Sequence, residues 1–500
     1  LKEAETMQFL NVGQSSKKLK KVLLVFSSLV FTMSSSFNLD AFSKALSTEE
    51  TDVIIVGAGL SGLSTAYNLK KAGLSYKILE LTPRVGGRAR TAKYGDVKVE
   101  AGLAEFWESN PAHKMIKELN VPYEEGDDLS YSSMIIDKKL YPFTQNSNDE
   151  FLRFLFNKKE YEAFQKWNKE TVAKYEKIKK KPIDKKLMEL KDISLEDWMN
   201  KSGLPRKVKE FVRLSIEPEI GTSWSYISAL DGIAELHIFL GKGETPYSLK
   251  EGNESLIEAL ADYTGRENIG LEMQVTRFKN LKDGVEVDAM DTTNFKHHTY
   301  KAKYAVSTIP LFRLSELQFS PELPKLKQQA ITTQSWGSYF TAHVLVSKEA
   351  QKYWTNKQGE TLLPILSDSP LGVIYFAKPT PEGDFIINLL ITGEHAEKFN
   401  HRAILFEDVR RDLNEAFENL WKGSTKYIKK YDLYRYHPRA IGAWPVGRSR
   451  FDELSEDIRK PFGNIYFAGD FTENSHSDGA VISANRVSNQ IIAKEKAKKK

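Results

Sequence analysis

Gly57, Gly59 and Gly62 stand in TDVIIVGAGLSGLSTAYNLKKAGLSYKILE (Thr51–Glu80) at the spacing G-x-G-x-x-G. Those positions suit one chemistry, the gripping of a dinucleotide. The first glycine permits a tight turn, the second lets backbone approach a pyrophosphate, and the third lets a helix pack closely on a strand. Glu80 follows Gly57 at close to the spacing of about 20 residues expected of a carboxylate that accepts from ribose hydroxyls. The flanking pattern supplies the elements that must position these groups. DVIIV is an apolar, β-branched run and reads as a buried parallel strand. Leu60, Leu63, Ala66, Tyr67 and Leu69 recur at helical spacing until Gly73, and YKILE reads as a second strand. The unit is βαβ, and its helix N-terminus offers unpaired N–H groups to phosphate.

RVGGRART follows Glu80 almost directly. With the glycine motif before it, this stretch resembles the flavoprotein group that contains monoamine oxidases, protoporphyrinogen oxidase and the phytoene desaturases. NAD competes for an isolated βαβ unit, but the paired glycines and arginine argue for FAD. The resemblance implies that Gly86 and Gly87 approach the diphosphate and that Arg88 pairs with it. Glu100 and Gly102 match the acid-x-glycine step that comes next.

Near the other end, FGNIYFAGDFTENSHSDGAVISANRVSNQI reads as a strand ending in Gly469 and Asp470, then a helix. The resemblance gives Asp470 a bond to the ribityl chain. It also turns the helix N-terminus, with the backbone of Ser477, Gly479, Ala480 and Val481, toward the flavin pyrimidine edge. There the N–H groups would stabilise negative charge on reduced flavin. A third block lies between. GNESLIEALADY resembles the group's glycine and amphipathic helix, and IGLEMQVTRFKNLKDGVEVDAM alternates as a hairpin with Asp283-Gly284 as its turn. Val275 matches the position whose backbone meets adenine, and KAKYAVSTIPL resembles the strand that ends beside the flavin.

These blocks predict an α/β architecture: a Rossmann-like FAD-binding domain assembled from 45–110, 245–320 and 435–493. Segments 111–244 and 321–434 would build an α+β substrate-binding domain with a helical part. The helical part carries the aromatic-rich stretch NDEFLRFLFNKKEYEAFQKW, read either as packed core or as a lipophilic or membrane-facing entrance. Residues 1–44 read as a leader and 494–500 as a basic tail.

The reacting face departs from the group's pattern. In amine-oxidising members a lysine lies on a strand after a G-x-x-x step; with Gly337 in register, Thr341 takes its place, and Lys301 and Lys303 do not match. One of two aromatic positions beside the flavin falls on His476, the other near Ala440. The position of the tethering cysteine falls near Arg439, and the chain has no cysteine, so FAD would be held non-covalently. His476 offers an imidazole for taking or relaying a proton. Trp444 is a candidate cavity wall, and Arg448 and Arg450 are candidate partners of a substrate acid or the flavin.

With 41% hydrophobic and 28% charged residues, the chain is neither wholly disordered nor a polytopic membrane protein. Its net charge of +5 is small, and no helix-turn-helix or finger pattern is present, which argues against nucleic acid. No metal-spaced cluster appears. A basic run, Lys17–Lys21, precedes the apolar run Val22–Met33 and a serine stretch. At about 1.5 Å per residue that apolar run is too short for a hydrocarbon core of about 30 Å. It is expected to be an export signal, with a membrane tether or a plain extension as alternatives. The expected activity is FAD-dependent hydride removal from an activated C–H, with oxygen or a quinone as acceptor. An amine and a lipophilic polyene or tetrapyrrole remain open as substrate, and a flavin-bearing binding protein is the third reading.

Overall fold

Val53, Ile54, Ile55 and Val56 are each 4% exposed or less, as β-branched residues in the middle of a parallel sheet should be. The computed structural model describes residues 51–104, 106–126, 132–143, 147–236, 240, 245–435 and 439–498. These lie in one compact unit spanning 49–500. The expected export signal lies outside the described residues.

The larger sheet runs in the order Ile269–Gly270, Tyr76–Leu79, Thr51–Val56, His297–Ser307, Gly284–Asp291, Met273–Leu281 and Gln318–Ser320, with Ile465–Phe467 also paired to His297–Ser307. The long strand His297–Ser307 is its axis. Its last residues run parallel to Thr51–Val56 on one side and to Ile465–Phe467 on the other. Its first half takes the antiparallel strand Gly284–Asp291. The hairpin before it turns at Lys282 and Asp283, one residue earlier than expected, because Gly284 is drawn into the sheet as the partner of Leu281.

Helix Leu60–Lys71 lies on this sheet beside Glu254–Thr264 and the C-terminal helix Ser477–Lys498. Small residues let the first and last of these approach closely. Ser61 bonds Ser483 at 3.2 Å, and Asn68 reaches Asn485 and Ser488. The expected basic tail is a continuation of that helix as far as Lys498. Glu495 anchors it, buried and bonded to the Tyr304 hydroxyl at 2.9 Å.

A second sheet has the order Ile428–Tyr434, Tyr339–Val346, Phe385–Thr392, Val373–Pro379, Ile365–Ser367, Ser133–Ile136 and Lys139–Tyr141. Phe340, Ala342 and Val344 turn one face onto helix Phe406–Leu420. The period of two puts Tyr339, Thr341 and His343 on the other face. The aromatics of the helical stretch are mostly core: Phe151, Phe156, Phe164 and Trp167 are buried, and Phe154 is exposed. Among the described residues no helix is long and apolar enough to cross a membrane.

The hairpin Thr91–Tyr94 and Val97–Glu100 joins the two sheets. His343 donates from Nε2 to the Glu100 carbonyl at 3.0 Å and accepts at Nδ1 from the Tyr94 hydroxyl at 2.9 Å. Burial lowers its pKa to about 4, so it stays neutral and holds both bonds. The Glu100 carboxylate accepts from Asn253 N–H at 2.8 Å and Thr91 Oγ1 at 3.0 Å, but burial still raises its pKa to about 7 from 4.5. A carboxyl raised on folding opposes folding once it ionises. The opposition is absent below the unfolded pKa and grows as pH rises through the folded one. Thermal unfolding at about pH 5 and about pH 8 should therefore show Glu100→Gln gaining on the wild type at the higher pH; an equal gap at both would mean that the carboxyl is solvated.

Candidate active site

Helix Leu60–Lys71 begins without a side-chain cap and without an acid in its first turn. Its leading N–H groups are thus left for another acceptor. Gly57 turns the chain with φ +105°, and a Cβ at Gly62 would lie 1.9 Å from the Gly57 carbonyl oxygen. Gly59 differs: a Cβ there would meet nothing within 4 Å. Gly87 faces it, its hypothetical Cβ 3.5 Å from the Gly59 Cα, and the Gly86 N–H bonds the Ala58 carbonyl at 2.8 Å. The two glycine turns form a backbone-lined cradle with open space over Gly59, the shape a diphosphate requires. The FAD that the motifs imply fits it.

Glu80 is buried, and its carboxylate takes the Ala58 N–H at 2.7 Å and the Thr82 N–H and hydroxyl at 2.9 and 2.8 Å. It pins the turn, and a carboxylate with about four lone-pair sites keeps acceptor capacity for a ribose. Val275 is buried in the core, and the strand bulges between Val275 and Arg277. Its strand starts beside this acid, since Met273 N–H bonds the Glu80 carbonyl at 2.7 Å.

Arg88, expected to pair with the diphosphate, and Asp470, expected to bond the ribityl chain, engage each other. The guanidinium reaches both carboxylate oxygens and also the Ala440 carbonyl. Burial works against the Arg88 charge, and Asp470 more than restores it. Gly469, at φ +131°, turns the chain into Asp470, and its N–H bonds Ser483 Oγ at 2.8 Å. Ser477 opens the C-terminal helix with its Oγ accepting from Asn110 at 2.8 Å; Gly479, Ala480 and Val481 follow, buried against the first helix.

His476 precedes that helix, and its Nε2 lies 3.0 Å from the Glu235 carboxylate. Glu235 and Asp231 both hold Arg450. Glu219, on helix Arg206–Ile220, acts electrostatically on His476 and Tyr339, and the Tyr339 hydroxyl donates to the Pro218 and Glu219 carbonyls. Thr341, 5% exposed, lies two residues along the same strand face. The other candidates are structural. Trp444 is 0% exposed, donates to Ser455 Oγ at 3.1 Å and carries Arg450 over its ring, so it presents no wall to a ligand. Arg448 pairs with Asp452 at 2.7 Å. Lys303 pairs with Asp52, and Lys301 with Glu286, away from the glycine turns. A hollow of about 510 Å³ bounded by Arg410, Asn414, Lys430 and Tyr431 lies on the outer strand of the second sheet and shares no residue with this group. No cluster of metal-ligating side chains occurs among the described residues.

Residues 60–492 match the family model of flavin-containing amine oxidoreductases. The chain belongs to that family. Flavin-containing amine oxidase A of Canis lupus familiaris is 24% identical over 473 residues, covering 88% of this chain and 85% of its own. The probable flavin-containing monoamine oxidase A of Dictyostelium discoideum is 24% identical over 469 residues, covering 88% and 97%. Cyclohexylamine oxidase from Brevibacterium oxydans superposes with a TM-score of 0.74 at 16% identity, covering 89% and 100%. Putrescine oxidase bound to putrescine gives 0.72 at 20%, covering 89% and 99%. The oxidoreductase is thus an FAD enzyme, and its fold is that of the family.

Sequence reasoning missed Glu235, Glu219 and Tyr339. The one available signal was acids embedded in apolar helical runs, as in ALDGIAE. The cradle is testable by two substitutions. Gly59→Leu should leave the thermal stability of the flavin-free oxidoreductase within about 1 kcal/mol while abolishing flavin retention, read as loss of the bound yellow chromophore. Gly62→Ala, which forces a methyl against a carbonyl oxygen, should destabilise the fold itself by about 1–3 kcal/mol.

Proposed function

We propose that the oxidoreductase oxidises a small amine at the carbon next to nitrogen, with oxygen as the final acceptor. The observation that carries this reading is Glu219. The other acids of its helix and of helix Ala229–Glu235 are engaged: Glu210 and Glu217 by Arg213, Asp231 and Glu235 by Arg450, with the His476 imidazole also against Glu235. Glu219 has no cation within ion-pair distance among the described residues, and burial raises its pKa. A half-buried carboxylate of that kind favours an arriving ammonium. A carboxyl tuned upward also suits the next requirement, because an ammonium must give up its proton before hydride can leave the adjacent carbon.

FAD supplies the hydride acceptor when bound. Gly57, Gly59, Gly62, Gly86 and Gly87 would hold its diphosphate, Glu80 its ribose, the Val275 backbone its adenine, and the Arg88–Asp470 pair with Gly469 its ribityl end. Ser477, Gly479, Ala480 and Val481 would offer helix N–H groups to the flavin. Thr341 and His476 are proposed to face the reacting side. Thr341 in place of a lysine supports a second reading, hydride removal from a lipophilic desaturase-type substrate, which would dispense with amine recognition by Glu219. The run Lys17–Met33 supports export as the proposed destination.

Anaerobic mixing of the FAD-loaded enzyme with a panel of primary and secondary amines should bleach the flavin. Bleaching by a polyene or tetrapyrrole precursor and by no amine would favour the second reading. Glu219→Gln should raise KM for the active amine by roughly tenfold, or about 1.4 kcal/mol, with FAD content unchanged.

A further inference from the structure

Four ionisable side chains from three places in the chain form a row: Asp231, Arg450, Glu235 and His476. Asp231 accepts from Arg450 Nε at 2.8 Å, from the Arg450 backbone N–H at 3.1 Å and from Ser228 Oγ at 2.7 Å. Arg450 donates through Nη2 to one Glu235 oxygen, and the other Glu235 oxygen lies 3.0 Å from His476 Nε2. The side chains of Asp231, Glu235 and Arg450 are 0%, 2% and 8% exposed, whereas that of His476 is 28% exposed. Two buried carboxylates against one guanidinium leave a negative charge over, and an uncompensated charge at that depth is strongly disfavoured. The imidazole is the group placed to cancel it.

The same bond settles which nitrogen does what. With Nε2–H committed to a carboxylate, any proton exchanged must come and go at Nδ1. His476 Nδ1 has no partner among the described residues, and His476 is the only member of the row with substantial exposure.

We propose that Glu235, braced by Arg450 and Asp231, is a positioning residue that holds His476 as an imidazolium with Nδ1–H turned to the reacting face of the flavin site. His476 is then a fixed cation and proton donor at neutral pH, and a base only in alkaline solution. This rests on the proposed location of His476 beside the flavin. Burial opposes the charge, but attraction to Glu235, the bond to it, and the more distant Glu219 and Asp478 outweigh that and raise the His476 pKa to about 9. The groups facing the imidazole are thus Glu235 from helix Ala229–Glu235, Glu219 from helix Arg206–Ile220 and Asp478 from its own helix. Behind Glu235 stands the Arg450 guanidinium, and the Tyr339 hydroxyl, from the second sheet, bonds the Glu219 carbonyl.

The test uses the FAD-loaded full chain without substrate, so its outcome is independent of whether amines are oxidised. Histidine-labelled protein is titrated by ¹³C and ¹⁵N NMR, with the His476 signals identified by their loss in His476→Asn. Bound-flavin absorbance is followed over the same pH range. The wild type should show a midpoint near 9 in both, with the ¹⁵N shifts of an Nε2–H tautomer above it. Glu235→Gln should lower that midpoint about 100-fold in proton affinity, roughly two units, with FAD content retained, and Glu235→Asp should restore most of it. An unmoved midpoint in Glu235→Gln would overturn the proposal. So would a wild-type His476 that titrates near the ordinary value of about 6.5, a result that decides the matter even if Glu235→Gln fails to fold.

Discussion

Ala305, Val306 and Ser307 have parallel neighbours on both sides: Ile54, Ile55 and Val56 on one, Ile465, Tyr466 and Phe467 on the other. That triple pairing is what brings remote parts of the chain to one place. Parallel strands need long crossovers between them, and here the crossovers contain the whole second sheet. The consequence is positional. The glycine turn after Val56 and the Gly469–Asp470 turn after Phe467 both emerge at the carboxyl ends of the two strands that flank His297–Ser307, where ligands bind in open α/β sheets. The bond from Arg88 to Asp470 crosses that same gap. If this register slipped by one residue, alternate side chains would leave the core and the two turns would separate.

The charges around the gap follow one rule, that a buried ion is held by an opposite one. Asp470 has Arg88, Arg448 has Asp452, Arg450 has two acids, and Glu235 has Arg450 with the His476 imidazole beside it. Such pairs add little net stability, since desolvation offsets most of their attraction. Their use is in direction: each guanidinium fixes where its carboxylate points, and Arg450 thereby aims Glu235 at His476. Glu219 has no partner within ion-pair distance among the described residues, and His476 acts on it only through space, which is what gives it a proposed role with an incoming cation.

The βαβ unit was legible in the sequence because its constraints are local and steric. A Cβ at Gly62 collides with a carbonyl five residues earlier, so the motif and its geometry are nearly the same statement. The strand at KAKYAVS and the helix after Gly479 were readable for the same reason, as apolar runs with clear stops. The Lys282–Asp283 turn and the helical end at Lys498 were misread by local cues alone. Gly284 looked like a turn residue but is taken by sheet pairing, and the lysine-rich end looked like a tail but is held by Tyr304 against Glu495.

Side-chain chemistry at the proposed reacting face was the least legible part, and the physical reason is that no residue there acts alone. His476 by itself is an imidazole of ordinary acidity. Its charge depends on Glu235, more than two hundred residues earlier, and on Glu219, on a different helix again. Thr341 poses the converse problem. Its strand face is shared with Tyr339, which closes on helix Arg206–Ile220, and with His343, which is locked neutral against Glu100 and Tyr94. On the proposed placement of Thr341 and His476 at the reacting face, a lysine at Thr341 would add a second cation beside the proposed imidazolium, and a small neutral residue there avoids two like charges. On that proposal the two departures from the family pattern are coupled.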